Sequence, residues 1–415
     1  MDWLSSVPMV MVGLFCLGAL VGGQINRGIY RLAWNQRAIG PWSPPHEKAA
    51  RRRWFDRIPI FGWVGLAREA EIHGRGFWVR PLLIELAVAT GYAALYWYEV
   101  QQVGVYSVAG IMVAPGAATL KAQLIAHLVL IPLMIVATFT DFDEQSIPDS
   151  ITVPGAIAGL LFAAALPISL PLVTTAMPPF SWEPLTIESP RRMAEGRGGK
   201  GGLVLGLLCF WAACFAIVPR TWTTRHGWLK AFAYLIDSIR RGQPNSGRIG
   251  ILAVVGAIVI TGGWWMGDPR WQGLFTSLIG MAFGGGLVWA VRIIGSQAMG
   301  QEAMGFGDVT LMSMIGAFTG WQATLVIFFM APMAALFISV TQWILTRRND
   351  IAFGPYLCLA TLVLLVHWGS IWHESVGHAF AGWVMSAMVT CGLALMWAML
   401  IIMKYIKMAF IGKDE

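Results

Sequence analysis

Two short acidic segments sit at the edges of apolar runs, where carboxylates are expensive to keep. The run Thr140-Asp141-Phe142-Asp143-Glu144-Gln145-Ser146-Ile147-Pro148-Asp149 follows one hydrophobic stretch, and Gly305-Phe306-Gly307-Asp308 opens another. A carboxylate at the hydrocarbon boundary is costly to ionise, which invites a functional explanation. A single Asp in such a place has ordinary uses, since Asp caps helix starts and Pro-Asp makes turns. Two clusters meeting on one face can do more. Carboxyls a few ångströms apart cannot both ionise, so one keeps a proton while the other activates water against an amide carbonyl. That is aspartyl protease chemistry. Gly305 and Gly307 suit it, because residues without Cβ let a substrate backbone approach Asp308 and allow an irregular turn where a helix begins.

The elements that must position these groups are membrane helices. Of 415 residues, 57% are apolar and 12% charged, a balance that excludes a soluble enzyme. The 21 Trp, 21 Phe and 47 Gly fit interfacial aromatics and closely packed spans. At about 20 apolar residues per crossing, the expectation is an all-α polytopic protein of about eleven spans, with eight to eleven as the range. They fall near 4–23, 82–98, 123–140, 151–173, 203–219, 249–267, 272–294, 309–321, 323–345, 354–367 and 380–403, and 309–345 can also be read as one broken pair. The first run lacks a basic start and a cleavage site and reads as a retained helix. Residues 24–81 carry eleven Lys/Arg, whereas 99–122 carry only Lys121. This places the first long loop in the cytoplasm, and counting spans then puts both acidic segments there too. The net charge of +7 reads as this orientation signal and not as a nucleic-acid footprint. Residues 174–202, with Arg191, Arg192, Arg197 and Lys200, fall outside and read as a mobile loop. Helical spacing of Trp228, Leu229, Phe232, Leu235, Ile236 and Ile239 predicts an amphipathic surface helix within 220–248. Cys16, Cys209, Cys214, Cys358 and Cys391 lie in apolar runs with no C-x-x-C pair, and read as small packing residues.

These segments resemble the signatures of the type IV prepilin leader peptidases, the GxGD-type membrane aspartyl proteases. Asp141-Phe142-Asp143 through Ile147-Pro148-Asp149 with Thr152 resembles the first signature, and Met304 through Val309 with Leu311 and Gly316 resembles the second. Gly22 to Asn26, Trp54 to Pro59, Arg80 to Glu85 and Phe353 to Tyr356 are similar to further family segments. The resemblance implies Asp141 and Asp308 as the catalytic pair, with Asp143 the reserve for the first member, and Asp143, Asp149, Gly305 and Gly307 in support. It implies prepilin-like or pseudopilin substrates, with a basic leader before an apolar helix, cut at the cytoplasmic face of a bacterial inner membrane. It divides the chain into 1–98, a methyltransferase-like region; 123–173, the first Asp segment; 174–294, an insertion; 295–367, the GxGD segment with its following spans; and 368–415, a terminal span and basic tail.

The departures are as informative. Bacterial relatives often carry two C-x-x-C pairs thought to bind zinc in the first loop; here the first pair's positions hold Pro45 and Lys48, and Glu71 to Gly76 replace the second. Zinc is therefore not expected, and proteolysis by a carboxyl pair requires no cofactor. Ion pairs of Glu69 and Glu71 with nearby arginines are the expected substitute. The resemblance leaves room for S-adenosylmethionine in the first loop through Asp56, Arg57 and Glu85. Thr310 stands where the family usually has Lys, and 159 residues separate Asp149 from Asp308, a surplus lying in about 174–290. His373 and His378 are five apart rather than the four of a zinc-binding helix, so that segment reads as a loop. His127 and His367 read as core residues, and Gly284-Gly285-Gly286 as a packing site. Two other readings compete: a GxGD protease cutting within a span, against which the Ile-Pro-Asp context speaks, and a proton-coupled transporter, which usually shows paired repeats absent here.

Overall fold

The computed structural model describes residues 7–37, 39–49, 51–106, 113–174, 181–189, 199–217, 244–299, 304–346, 352–377, 380, 387 and 389–390. Among them, seven helices are long and apolar enough to cross a membrane, or eight if one bent pair counts as a span. The protein is an all-α polytopic membrane protein. The long helices are α1 (Val7–Leu32), α2 (Val79–Tyr96), α3 (Ala117–Glu144), α4 (Asp149–Ala165), α5 (Lys200–Ile217), α6 (Pro244–Trp265), α7 (Arg270–Met299), α8 (Phe306–Thr346) and α9 (Gly354–Val366).

Among the described residues the count is below the expected eleven and at most at the lower end of the expected range. Helix α4 stops at 17 residues, because Leu166 leaves the helical region before Pro167. The stretch 309–345 is one element broken at Gly320, whose φ of 78° no ordinary side chain adopts easily. The chain folds back there: Gly284 of α7 faces both Met312 on one arm and Thr324 on the other. The expected last span, 380–403, lies almost wholly outside the described residues, as do the surface helix predicted within 220–248 and Arg191, Arg192 and Arg197.

The segment expected to be a mobile outer loop is partly ordered. Strands β1 (Leu172–Thr174) and β2 (Trp182–Pro184) pair antiparallel, with Val173 opposite Glu183. Leu185, fully buried, anchors that hairpin to the bundle, and Gln322 and Trp321 donate to the carbonyls of Thr186 and Ile187 just past it. The Trp368 indole donates to the Leu172 carbonyl. The Gly320 turn and the far end of α9 therefore meet the hairpin at one end of the bundle, and the acidic segments lie at the other.

The three largest apolar clusters among the described residues hold the helices. One joins α3, α8 and α9 around Leu130, Leu311, Ile315 and Leu357; a second joins α4 to α5, α6 and α7 around Phe210, Trp271 and Leu278; a third packs α1 and α2 onto α3 through Ile25, Val88 and Val136. Between lipid-embedded helices, close packing rather than water exclusion supplies the attraction. Gly22 of α1 accordingly lies so close to α2 that a Cβ would stand 2.7 Å from the Glu85 Cα.

Candidate active site

Asp308 owes its position to the way α8 starts. It is the third helical residue after Gly305, and its carboxylate folds back to accept the Gly305 N–H, the N3 half of a helix capping box. This gives the Gly-x-Gly-Asp spacing a local physical cause. Asp308 is 7% exposed, and among the described residues its Oδ1 has no hydrogen-bond partner.

Asp141 comes from the other end of a helix. It lies in the last turn of α3, 6% exposed, and its Oδ2 accepts the Gly354 N–H at 3.1 Å. Gly354 opens α9, so a free backbone donor at a helix N-terminus is aimed at this carboxylate. A Cβ on Gly354 would fall 2.7 Å from Asp141 Oδ2 and 2.8 Å from the Ile147 Cδ1. Ile147, buried under the turn between α3 and α4, also fills the space over Gly307, where a Cβ would come 2.8 Å from its own Cβ. Gly307 is thus needed for helix packing against Ile147, whereas a Cβ at Gly305 would clear Asp308 Oδ2 by 3.6 Å.

The two carboxylates lie within electrostatic reach of each other, and the buried Cys358 thiol, one turn into α9, lies within reach of both. Of the predicted site residues, the structure brings Asp141, Asp308, Gly305 and Gly307 together. It directs the others elsewhere. Asp143 is solvated and paired with Arg80 at 2.8 Å, and the Arg80 guanidinium stacks 4.7 Å from the Phe139 ring centroid. Glu144 accepts the backbone N–H groups of Trp34 and Asn35 just past α1. Asp149, exposed in the first turn of α4, receives a long hydrogen bond from Thr310 Oγ1 at 3.4 Å, and Thr152 Oγ1 donates to Thr310 at 3.0 Å. Thr310 thus ties the start of α8 to the start of α4.

Gly354, Ile147, Cys358 and Arg80 were not assigned roles from the sequence. The signal for Gly354 was present: a Phe-Gly-Pro turn opening a helix on the side to which span parity assigns both acidic segments.

In 24–81 the residues expected to meet a cofactor are bound to their own chain. Asp56, fully buried, accepts the Arg53 N–H at 2.7 Å and the Arg68 guanidinium through both oxygens, one at 3.0 Å. Burial alone would raise its carboxyl; the Arg68 hydrogen bonds, the Arg53 N–H and the charges of Arg68 and Arg52 outweigh it and hold it below the ordinary carboxylate range. Glu85 accepts Trp63 Nε1 at 2.8 Å, Asn26 Nδ2 at 3.3 Å and the Ile60 N–H. Arg57 is exposed, over the Trp42 ring. Where zinc knuckles would stand, Arg52 pairs with buried Glu69, and His73 lies 3.6 Å from the same carboxylate. Among the described residues no three His, Cys, Asp or Glu side chains are grouped to hold a metal ion.

A bundle of membrane helices with two buried carboxylates meeting at one end is the arrangement expected of a GxGD-type membrane aspartyl protease. Residues 226–340, which contain the Gly305 to Asp308 segment, match the type IV leader peptidase family. A prepilin leader peptidase/N-methyltransferase of Myxococcus xanthus is 23% identical over 380 residues, 86% of this chain and 90% of that protein. Enzymes of the same name from Aeromonas hydrophila and Pseudomonas aeruginosa are 33% and 34% identical over 86 and 104 residues. Those matches span 28% and 36% of the relatives' lengths, about a third of each. No solved structure matches. The chain is thus similar to the type IV leader peptidase family over residues 226–340 and, over most of its length, to a prepilin leader peptidase/N-methyltransferase, a likeness that supports a membrane protease.

Proposed function

We propose that this protein cuts the basic leader from prepilin-like or pseudopilin substrates at the cytoplasmic face of the bacterial inner membrane, with Asp141 and Asp308 as the catalytic carboxyls. The observation that carries this reading is the convergence of the two groups, both buried, from the C-terminal end of one span and the N-terminal end of another. One carboxylate takes a proton from water as the water oxygen attacks the amide carbonyl carbon, while the other carboxyl gives its proton to the carbonyl oxygen. The amine then leaves with a proton given by the first group, while the second takes back a proton from a hydroxyl of the collapsing diol, which restores both carboxyls to their starting states. The Gly354 N–H orients Asp141, and the unpartnered Oδ1 of Asp308 is the atom free to share the proton or hold the water. Asp143 and Asp149 take supporting parts, Asp143 by holding the turn through Arg80.

The relatives' names include N-methyltransferase. Asp56 and Glu85, committed to their own chain, do not fit as direct ligands of S-adenosylmethionine. A shallow cleft between the end of α1 and residues 39–43, lined by Arg27, Tyr30, Arg31, Trp42 and Trp63, offers the cations and rings that its carboxylate and sulfonium call for. When bound, that molecule supplies an electrophilic methyl group to the new amino terminus.

The test is incubation of the purified protein with a prepilin-like substrate and S-adenosylmethionine, followed by mass measurement of the product. A truncated N-terminus is expected. An intact substrate would refute the proposal, and a truncated product without added methyl would confine the protein to proteolysis.

A further inference from the structure

The first long loop carries an apolar face that its own chain does not cover. A short helix, Phe61–Leu66, turns Trp63 and Leu66 inward, both fully buried, and leaves Phe61 and Val64 bare at 67% and 53% exposure. Three residues apart, those two share one side of the helix. Phe55 closes over Gly65 at the edge of that side, where a Cβ would stand 3.3 Å from the Phe55 Cε2. Trp54, 79% exposed, lies edge-on against Phe55 with the ring centroids 6.1 Å apart, so it borders the same patch. Glu85 fixes the level at which this patch sits. Its carboxylate accepts the Ile60 N–H and the Trp63 Nε1, so the short helix hangs beside it. Glu85 lies six residues past Val79, about 9 Å into the α2 span at the helical rise. Gly22, packed on the Glu85 Cα, lies ten residues before Leu32 at the end of α1, about 15 Å along that span. Both spans thus set the patch inside their own ends, where a side chain turned outward meets lipid.

The charge around it points the same way. Arg51, Arg53 and Arg57 are exposed next to Trp54 in the chain, with Arg53 standing 5.7 Å over the Phe55 ring. The carboxylates of Asp56 and Glu69 are buried and committed to Arg68 and Arg52, which leaves the rim of the patch cationic. We infer that Trp54, Phe61 and Val64 insert into the bilayer at the end of the bundle where the acidic segments lie, with Arg51, Arg53 and Arg57 on anionic phospholipid headgroups. An apolar face under a basic rim is the pattern of an interfacial helix, which sinks roughly 5–10 Å into the boundary between headgroups and acyl chains, the depth that Glu85 gives. The apolar helix of another protein would also cover Phe61 and Val64, but it brings no anion for the guanidiniums. In a loop without thiolates, order then comes from ion pairs on the inner side and from lipid on the outer side. This contact with lipid does not depend on the cleavage reaction.

Photo-crosslinking of the full chain in vesicles tests this. Benzoylphenylalanine replaces Phe61, or Glu47, an exposed position elsewhere in the loop. Protein that elutes as a single species is reconstituted in equal parts of phosphatidylglycerol and phosphatidylcholine. Position 61 should form lipid adducts at least about tenfold more often than position 47. Among them phosphatidylglycerol should outnumber phosphatidylcholine at least about fivefold, the preference that one guanidinium at the surface supplies. Arg51→Gln, Arg53→Gln and Arg57→Gln together should bring that ratio to about one while lipid adducts at position 61 persist. A prepilin-like substrate added to a parallel sample should leave the adducts unchanged. Labelling at 61 no greater than at 47, adducts mainly to a second copy of the chain, or displacement of lipid by the substrate would overturn the bilayer assignment. A ratio near one in the parent, or one unchanged by the three substitutions, would overturn the headgroup assignment.

Discussion

At the residue scale, the spacing Gly-x-Gly-Asp and the sequence Asp-x-Asp were legible as chemistry before any geometry. The choice between Asp141 and Asp143 was not, since it depends on which carboxylate the end of α3 turns inward. The structure puts Asp141 under the start of α9 and leaves Asp143 in solvent with Arg80. Gly354 was quotable from the sequence but its role was invisible, because a missing Cβ matters only when another atom occupies its place. That place is taken by the Asp141 carboxylate and Ile147. Gly354→Ala should therefore displace Asp141 and lower kcat by about a hundredfold or more, the effect of roughly 1 Å of misplacement in a catalytic group. Normal accumulation of the variant with unchanged kcat would show that the contact does not position the carboxylate.

At the scale of elements, the region 24–81 and the 141–145 turn form one clamp: Arg80 reaches Asp143, and Glu144 holds the backbone past α1. Charge counting marked this loop as basic but could not show that it fastens the first catalytic segment. Arg80→Ala should lower proteolytic kcat about tenfold, the cost of loosening one support, measured on protein that still elutes as a single species. The same loop is ordered by ion pairs where thiolates are lacking, a substitution anticipated for Glu69, which pairs with Arg52, but not for Asp56, which pairs with Arg68. Because the Asp56 carboxyl is held below its usual value of 3.8, its contribution to stability is fully present above that value and lost as pH falls through the folded one. Asp56→Asn should lower the melting temperature by a few degrees at pH 7. That deficit should shrink in scans taken below about pH 3.8, where the parent loses the same charge; a deficit unchanged with pH would mean that packing rather than ionisation is at stake.

At the scale of the molecule, hydrophobic runs and loop charge gave the class of fold and the relation of the two acidic segments, which meet at one end. Among the described residues the span count reaches at most the lower end of the expected range, because a helix can end early, as at Leu166, and because the expected last span lies almost wholly outside them. The hairpin of β1 and β2 was missed because three-residue strands leave no periodic trace. The expected sidedness is open to direct test. Reporter residues at Gly40 and Gln301 should be labelled from the cytoplasm alone, and one at Glu188 from the opposite side alone; labelling of Gly40 and Gln301 from different sides would separate the two acidic segments.

The central claim is that Asp141 and Asp308 together cut a prepilin-like substrate. Cleavage by membranes containing equal amounts of the parent, Asp141→Asn, Asp308→Asn and Asp143→Asn proteins, read by the mass of the product N-terminus, tests it most directly. The account predicts complete processing by the parent, loss of at least about a thousandfold in either member of the pair, and retention of most activity in Asp143→Asn. Near-normal processing by Asp141→Asn, together with loss in Asp143→Asn, would contradict it.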